Sequence, residues 1–234
     1  HDPPLQDGWL GKTNAMQAGL AKATGEYIIL SDADVIHDPR CFQTAIAALV
    51  DKEVDLLSLA PTFQCRSLFE NALLPHLFIA GTVQFCMQKV NDKDSSDGAA
   101  AGAFILMRRE KLNSIGGFRE IRDEFLDDVG LARTVKRHGG DARFHFAPEL
   151  LKVRLFKGNH HAIWGLTKNI LGAVDHIAMA VPAMFLPVFV YWIPILCFVL
   201  GLIRDEPLMI AAGALAYGLQ LALLVPASRL CEIE

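Results

Sequence analysis

The stretch Glu26-Tyr-Ile-Ile-Leu-Ser-Asp-Ala-Asp-Val35 decides how the chain is read. Glu26 to Leu30 is a short, mostly apolar run of the kind that forms a buried strand. Two carboxylates, Asp32 and Asp34, follow it directly. Upstream, Gly11 to Ala23 has helical spacing, and Gly25 offers a C-cap. Downstream, Asp38-Pro39 reads as an N-cap followed by proline at the first helical position, opening a helix that runs to about Lys52. Val54 to Leu59 is a second buried strand. Strand, helix and strand at this spacing predict a βαβ crossover.

The same alternation of elements continues. Ala99 to Met107 reads as a strand. Arg109 to Ile115 reads as a short helix closed by Gly116-Gly117, and Asp127 to His138 as another closed by Gly139-Gly140. Arg143 to Phe146 reads as a short strand. Residues 1–155 are therefore expected to form an α/β domain. No internal repeat or low-complexity segment is visible.

Beyond that domain the character changes. Ile177 to Ile203 is a run of 27 residues without a charge, and Pro207 to Ser228 is a run of 22 more. Each can span a hydrocarbon core of about 30 Å at about 1.5 Å per residue. Only Arg204, Asp205 and Glu206 separate them, which predicts a transmembrane helical hairpin. A buried hairpin in a soluble core is the competing reading. Residues 67–89 are apolar but broken by Glu70, Pro75 and His76, and fit an amphipathic helix lying on a membrane surface or lining an acceptor groove. Residues 156–176 are expected to be interfacial as well. Lys152, Arg154, Lys157 and Lys168 precede the hairpin and Arg229 follows it. The positive-inside tendency places both ends, and the α/β domain, in the cytoplasm of a multi-pass membrane protein.

Composition narrows the function. The 234 residues are 52% hydrophobic with a net charge of -4, and mean hydropathy is +0.30. There is no basic excess or Lys/Arg run for a nucleic-acid partner. The 5 cysteines form no C-x-x-C pair and fit a reducing compartment better than a disulfide framework or zinc site. The sequence opens on His1 without Met or signal peptide, and is read as part of something longer.

The chemistry is carried by acids. In an extended chain, side chains two apart share a face, so Asp32 and Asp34 are expected to converge just past a strand end, where open α/β sheets bind ligands. Such a pair can hold Mg²⁺ or Mn²⁺, which prefer oxygen ligands. The same pattern also serves as a turn or a helix cap. Asp127-Asp128 at a helix start can be dipole-complementing caps or can supply a general base. Lys12, in Gly11-Lys12-Thr13-Asn14-Ala15, can be a solvated cation or can reach a phosphate from a helix N-terminus. The P-loop spacing is absent.

Read in order, GKTNAMQAGL, EYIILSDADV, GAFILMRREKLNSIGGF and DEFLDDVGLARTVKRHGG resemble the inverting family 2 glycosyltransferases of GT-A (Rossmann-like) fold, over roughly residues 8–165. DGWLGKTNAMQAGLA, LSDADVIHDP, VNDKDSSDGAAAGAFILMRREKL and IRDEFLDDVGLARTVK carry a narrower resemblance to the membrane-bound hopanoid (hopene)-associated branch, with ceramide glucosyltransferases as relatives. The resemblance implies Asp32 and Asp34 at the metal and the diphosphate of a nucleotide-sugar, a UDP-sugar by expectation. It implies Asp128 as catalytic base with Asp127 beside it, Lys12 near the donor, and Gly102 where a sugar approaches the backbone. It also implies a first strand, with a nucleotide-contacting acid, upstream of His1, so the domain is read as lacking it. The processive members' Q-x-x-R-W element is reduced to the Trp of His160-His161-Ala162-Ile163-Trp164, which favours transfer of a single sugar to a lipid acceptor. His160 and His161 are read as interfacial rather than metal ligands. A metal-dependent nucleotidyltransferase and a non-catalytic membrane scaffold stay open as alternatives.

Overall fold

The computed structural model describes residues 3–71, 74–75, 85–165, 177–228 and 231–233. The chain divides into two compact units, residues 1–64 with 81–155 and residues 65–80 with 156–234.

The first unit is α/β. Its elements in chain order are α1 (Gly11–Lys22), β1 (Tyr27–Leu30), β2 (Val35–His37), α2 (Cys41–Asp51), β3 (Leu56–Ala60), β4 (Thr62–Cys65), α3 (Met87–Val90), β5 (Ile105–Arg108), α4 (Arg109–Ser114), a 3₁₀ turn (Arg119–Ile121), α5 (Asp127–Arg137), β6 (Ala142–Phe146) and β7 (Leu151–Val153). The main sheet has the order β1-β5-β3-β6. β5 is antiparallel to both β1 and β3, and β3 is parallel to β6. A smaller ladder pairs β7 antiparallel with β2 and parallel with β4.

Period-two alternation explains how the main sheet buries both faces. Leu56, Ile105 and Met107 pack on one side with Leu112, Phe118, Leu131 and Val135. Leu57, Leu59, Phe104 and Leu106 pack on the other with Cys41, Ala45 and Leu49 of α2. Every residue of β3 is buried, as expected for a central strand covered by helices on both faces.

Two local expectations are corrected and one gains a detail. β1 and β3 run parallel, as the crossover requires, with β5 inserted between them. The pairing joins segments about 75 residues apart, which no local pattern reports. Helix α1 ends before Gly25: Ala23 takes extended backbone and its N–H closes on Gly19 O and Leu20 O. Asp38 lies two positions outside the observed N-cap, Arg40, rather than at it. Its carboxylate accepts the Arg40 N–H at 2.9 Å, its carbonyl accepts the Cys41 N–H at 2.9 Å, and α2 begins at Cys41. The double-glycine stop after α5 holds, since Gly139 sits at φ +71° and the Gly140 N–H closes on Val135 O.

In the second unit, α6 (Ile177–Arg204) and α7 (Pro207–Ser228) cover the two charge-free runs, and β8 (Cys231–Ile233) follows. A Cβ at Gly213 would lie 2.6 Å from Phe198 N and one at Gly201 2.8 Å from Ile210 N, so glycine allows the two helices their close approach. Gln220 donates to Val190 O at 2.6 Å. Among the described residues, one helix, Pro207–Val225, is long and apolar enough to cross a membrane, with a mean hydropathy of 2.0. Much of the expected amphipathic segment 67–89 and residues 166–176 lie outside the described residues. Trp164 Nε1 donates to His160 Nε2 at 3.2 Å and the Lys157 N–H donates to His161 Nδ1 at 3.0 Å, so both histidines have local partners.

Candidate active site

Four pieces of the first unit meet at the C-terminal end of β1. They are the start of α1, the turn after β1, the loop 98–104 and the start of α5. An open cleft of about 430 Å³ lies among them, its wall including Lys12, Met16, Ser31, Asp32, Gly102 and Asp127. That volume is within the usual range for small-molecule sites.

Lys12 is the electrostatic centre. Its Nζ lies 3.1 Å from Asp127 Oδ2 and 3.4 Å from Asp32 Oδ1. A cation in the first turn of a helix opposes the helix dipole, so α1 alone does not favour lysine there. Burial by itself would lower the Lys12 pKa, but Asp127 and Asp32 outweigh it and hold the pKa above its ordinary value.

Gly102 links the acids through its backbone. Its N–H donates to Asp128 Oδ2 at 3.0 Å, and its carbonyl accepts the Asp32 N–H at 3.1 Å. A Cβ there would stand 3.0 Å from Asp32 Oδ2 and 3.2 Å from Lys12 Nζ, which explains glycine at this close approach. Buried Ser58 supports the loop from β3: its Oγ accepts the Ala101 N–H at 2.9 Å and donates to Phe104 O at 3.1 Å. Ser58→Ala leaves the half-buried Ala101 N–H without this partner and should cost about 1 kcal/mol. A thermal melt checks this, and an unchanged midpoint would show the loop is held by other means.

Asp127 and Asp128 are the first two residues of α5, where the dipole favours carboxylates. Asp127 lines the cleft, while Asp128 sits one hydrogen bond behind its wall, through Gly102. Asp128 Oδ1 also accepts the Val129 N–H at 2.8 Å. Burial pushes the Asp128 pKa up and the neighbouring Asp127 charge adds to this, against the Val129 and Gly102 N–H groups and Lys12. A base with a raised pKa loses its working form as pH falls through that pKa. The expectation of Asp128 as catalytic base therefore requires the acid limb of kcat/KM to lie above the ordinary Asp value of about 3.9. A rate profile over pH measures it, and a limb at or below pH ~4 would exclude Asp128 as the titrating base.

Of the six residues singled out from the sequence, five gather here: Lys12, Asp32, Gly102, Asp127 and Asp128. Asp34 does not line the cleft. Residues 33–34 form a turn and Asp34 is exposed. The expected sharing of a face assumed extended backbone, and the turn removes that alternation. Sequence reasoning missed Ser31, on the cleft wall, and Ser58, whose only signal was one hydroxyl inside an apolar strand.

Among the described residues no three His, Cys, Asp or Glu side chains gather as a metal cage. Asp32 still fits a hard divalent cation: its carboxylate is about half-exposed in the cleft, and the Lys12 ammonium already stands beside it as a cation. An ion held by one carboxylate completes its shell with substrate phosphates and water.

The sequence model of glycosyl transferase family 21 matches residues 5–216. The chain belongs to glycosyl transferase family 21. No curated protein matches it. Among solved structures, the family 21 chain is similar to the mannosyltransferase PcManGT from Pyrobaculum calidifontis in complex with GDP-Man and Mn²⁺. The two share 21% identity with a TM-score of 0.48, over 94% of this chain and 55% of that one. The chain thus spans about half the length of that protein.

Proposed function

We propose that this chain carries the acid-rich active site of a membrane-bound, inverting glycosyltransferase that moves one sugar from a UDP-sugar to a lipid hydroxyl. The observation that carries the reading is the joining of Asp32, Lys12, Asp127 and Asp128 around Gly102 at a strand's C-terminal end, in a chain of family 21.

In this reading Lys12 and Asp32 receive the donor diphosphate, and Lys12 offsets its negative charge. A divalent cation at Asp32, Mg²⁺ or Mn²⁺, would neutralise the diphosphate further and improve it as a leaving group. Gly102 lets the sugar approach the backbone. Asp128 accepts the proton of the acceptor hydroxyl. The hydroxyl oxygen bonds to the anomeric carbon as the bond from that carbon to the phosphate oxygen breaks, and the electron pair leaves with UDP. One displacement inverts the anomeric centre, through an oxocarbenium-like state.

Helices α6 and α7 supply the membrane half of the reading. Leu208, Leu215, Leu219 and Leu223 of α7 are all more than half exposed, and 6% of the span Pro207–Val225 is buried. A transmembrane hairpin with both ends cytoplasmic, as in a bacterial inner membrane, gives that surface a lipid partner. A lipid of the hopanoid, sphingolipid-like or polyprenyl phosphate class is the proposed acceptor.

The test is a donor screen on the full chain in lipid vesicles with and without a lipid alcohol, following nucleoside diphosphate release. Acceptor-dependent UDP release, stimulated by Mn²⁺, is expected. Pyrophosphate release would replace this reading with nucleotidyl transfer, and no release from any donor would remove it.

A further inference from the structure

One face of α5 grips the chain that leads to Gly102 at three points. At its far end, the Lys136 ammonium is buried and donates to Val90 O at 2.7 Å, Asp92 O at 2.7 Å and Lys89 O at 3.4 Å. Three carbonyls use the three donors of an ammonium. One turn nearer the site, Gly98 lies directly on the helix: a Cβ there would stand 2.8 Å from Arg133 N and 3.2 Å from Ala132 Cβ. One turn nearer still, Asp128 accepts the Gly102 N–H at 3.0 Å. Residues 128, 132 and 136 are spaced by four and share a helix face. The strap is also pinned at its start, where Asn91 exchanges two hydrogen bonds with the Phe144 backbone of β6 at 2.8 and 2.9 Å.

We propose that Lys136 is a positioning residue: by holding the carbonyls of 89–92 against the far end of α5, it fixes the strap 91–102 so that the Gly102 N–H meets Asp128. This rests on the assignment of Asp128 as base. Burying a lysine is costly unless its charge is met by hydrogen bonds. At an ordinary helix end an arginine or lysine reaching from solvent would satisfy the same carbonyls. Here the ammonium comes from the helix that carries the acids, about 12 Å along its axis from Asp128 at 1.5 Å per residue. The base and the loop beside the donor therefore keep a fixed spacing.

The experiment compares Lys136→Met and Gly98→Ala in the full chain, one removing the ammonium and the other wedging the strap off the helix without touching Lys136. Amide exchange is read without ligand, and kcat/KM is read against pH. In both variants exchange of residues 99–103 should rise about tenfold or more, with the β3 and β5 amides still protected. The acid limb should move to higher pH, because the Gly102 N–H helps hold the Asp128 pKa down and its loss releases it. Asp127, Lys12 and the Val129 N–H, the other groups facing Asp128, are unchanged in both variants. Wild-type exchange at 99–103 in either folded variant overturns the proposal, and so does faster exchange with an unmoved acid limb. If Lys136→Met does not fold, Lys136→Gln, which removes the charge, decides by the same two readouts. If the wild-type chain transfers no sugar from any donor, the reading of the active site fails, and exchange alone still decides whether the strap exists.

Discussion

Replacing Asp128 by Asn should lower kcat by about 10²–10⁴-fold, the usual contribution of a positioned general base. The substitution is nearly isosteric. Its amide oxygen can still accept one of the two N–H groups, from Gly102 or Val129, that now meet the carboxylate. Binding should therefore change little, and the loss should fall on kcat with donor KM kept within about threefold. The pH profile is the sharper readout. With Asp128 as the proposed base, an acid limb set by its raised pKa should be present in wild type and vanish from the residual rate. Full turnover in Asp128→Asn would remove Asp128 from the mechanism. Asp127 would then be the next acid to test, since of the α5 pair it is the one on the cleft wall.

Asp32→Asn should have an effect of similar size by another route. The carboxylate is half-exposed at the cleft, the proposed seat of the cation, and is one of the two acids holding Lys12. Asn keeps the shape and removes the charge that would hold a divalent cation. Mn²⁺ binding by the protein with UDP, followed by the paramagnetic signal of the free ion, should fall at least tenfold. The rate should fall about 10²–10³-fold as leaving-group stabilisation is lost. Thermal stability should hardly change, because an exposed ion pair contributes about 0–1 kcal/mol. Unchanged Mn²⁺ affinity would place the cation elsewhere. Asp34→Asn is the matched control, and from its exposed place in the turn it should have the smaller effect.

The sequence made the helices and the acids legible, because their signals are local. The Asp38-Pro39 signal announced α2 two residues early, and the glycine pairs after Ser114 and Arg137 marked true stops. The charge-free runs coincide with α6 and α7. The strands were harder to place. The insertion of β5 between β1 and β3 is decided by which apolar edges meet in three dimensions, and Ile105–Arg108 has the same local character in any position. The turn at Ala33-Asp34 was hidden for a related reason. Asp-x-Asp is compatible with an extended chain and with a turn, and the entry into β2, which pairs with the distant β7, decides between them. The role of Lys136 was invisible because a lysine in the last turn of a helix normally faces water.

The central place of β5 has a consequence for how the molecule comes into being. Neither β1 nor β3 has its shared neighbour until residues 105–108 have been made. A nascent polypeptide that has reached only β4 exposes two apolar strands with no ladder between them. The main sheet should thus close late and all at once, through contacts of long sequence separation, and such topologies mature slowly. While it waits, the ribosome-bound intermediate presents open strand edges, the feature most prone to pairing with a foreign chain.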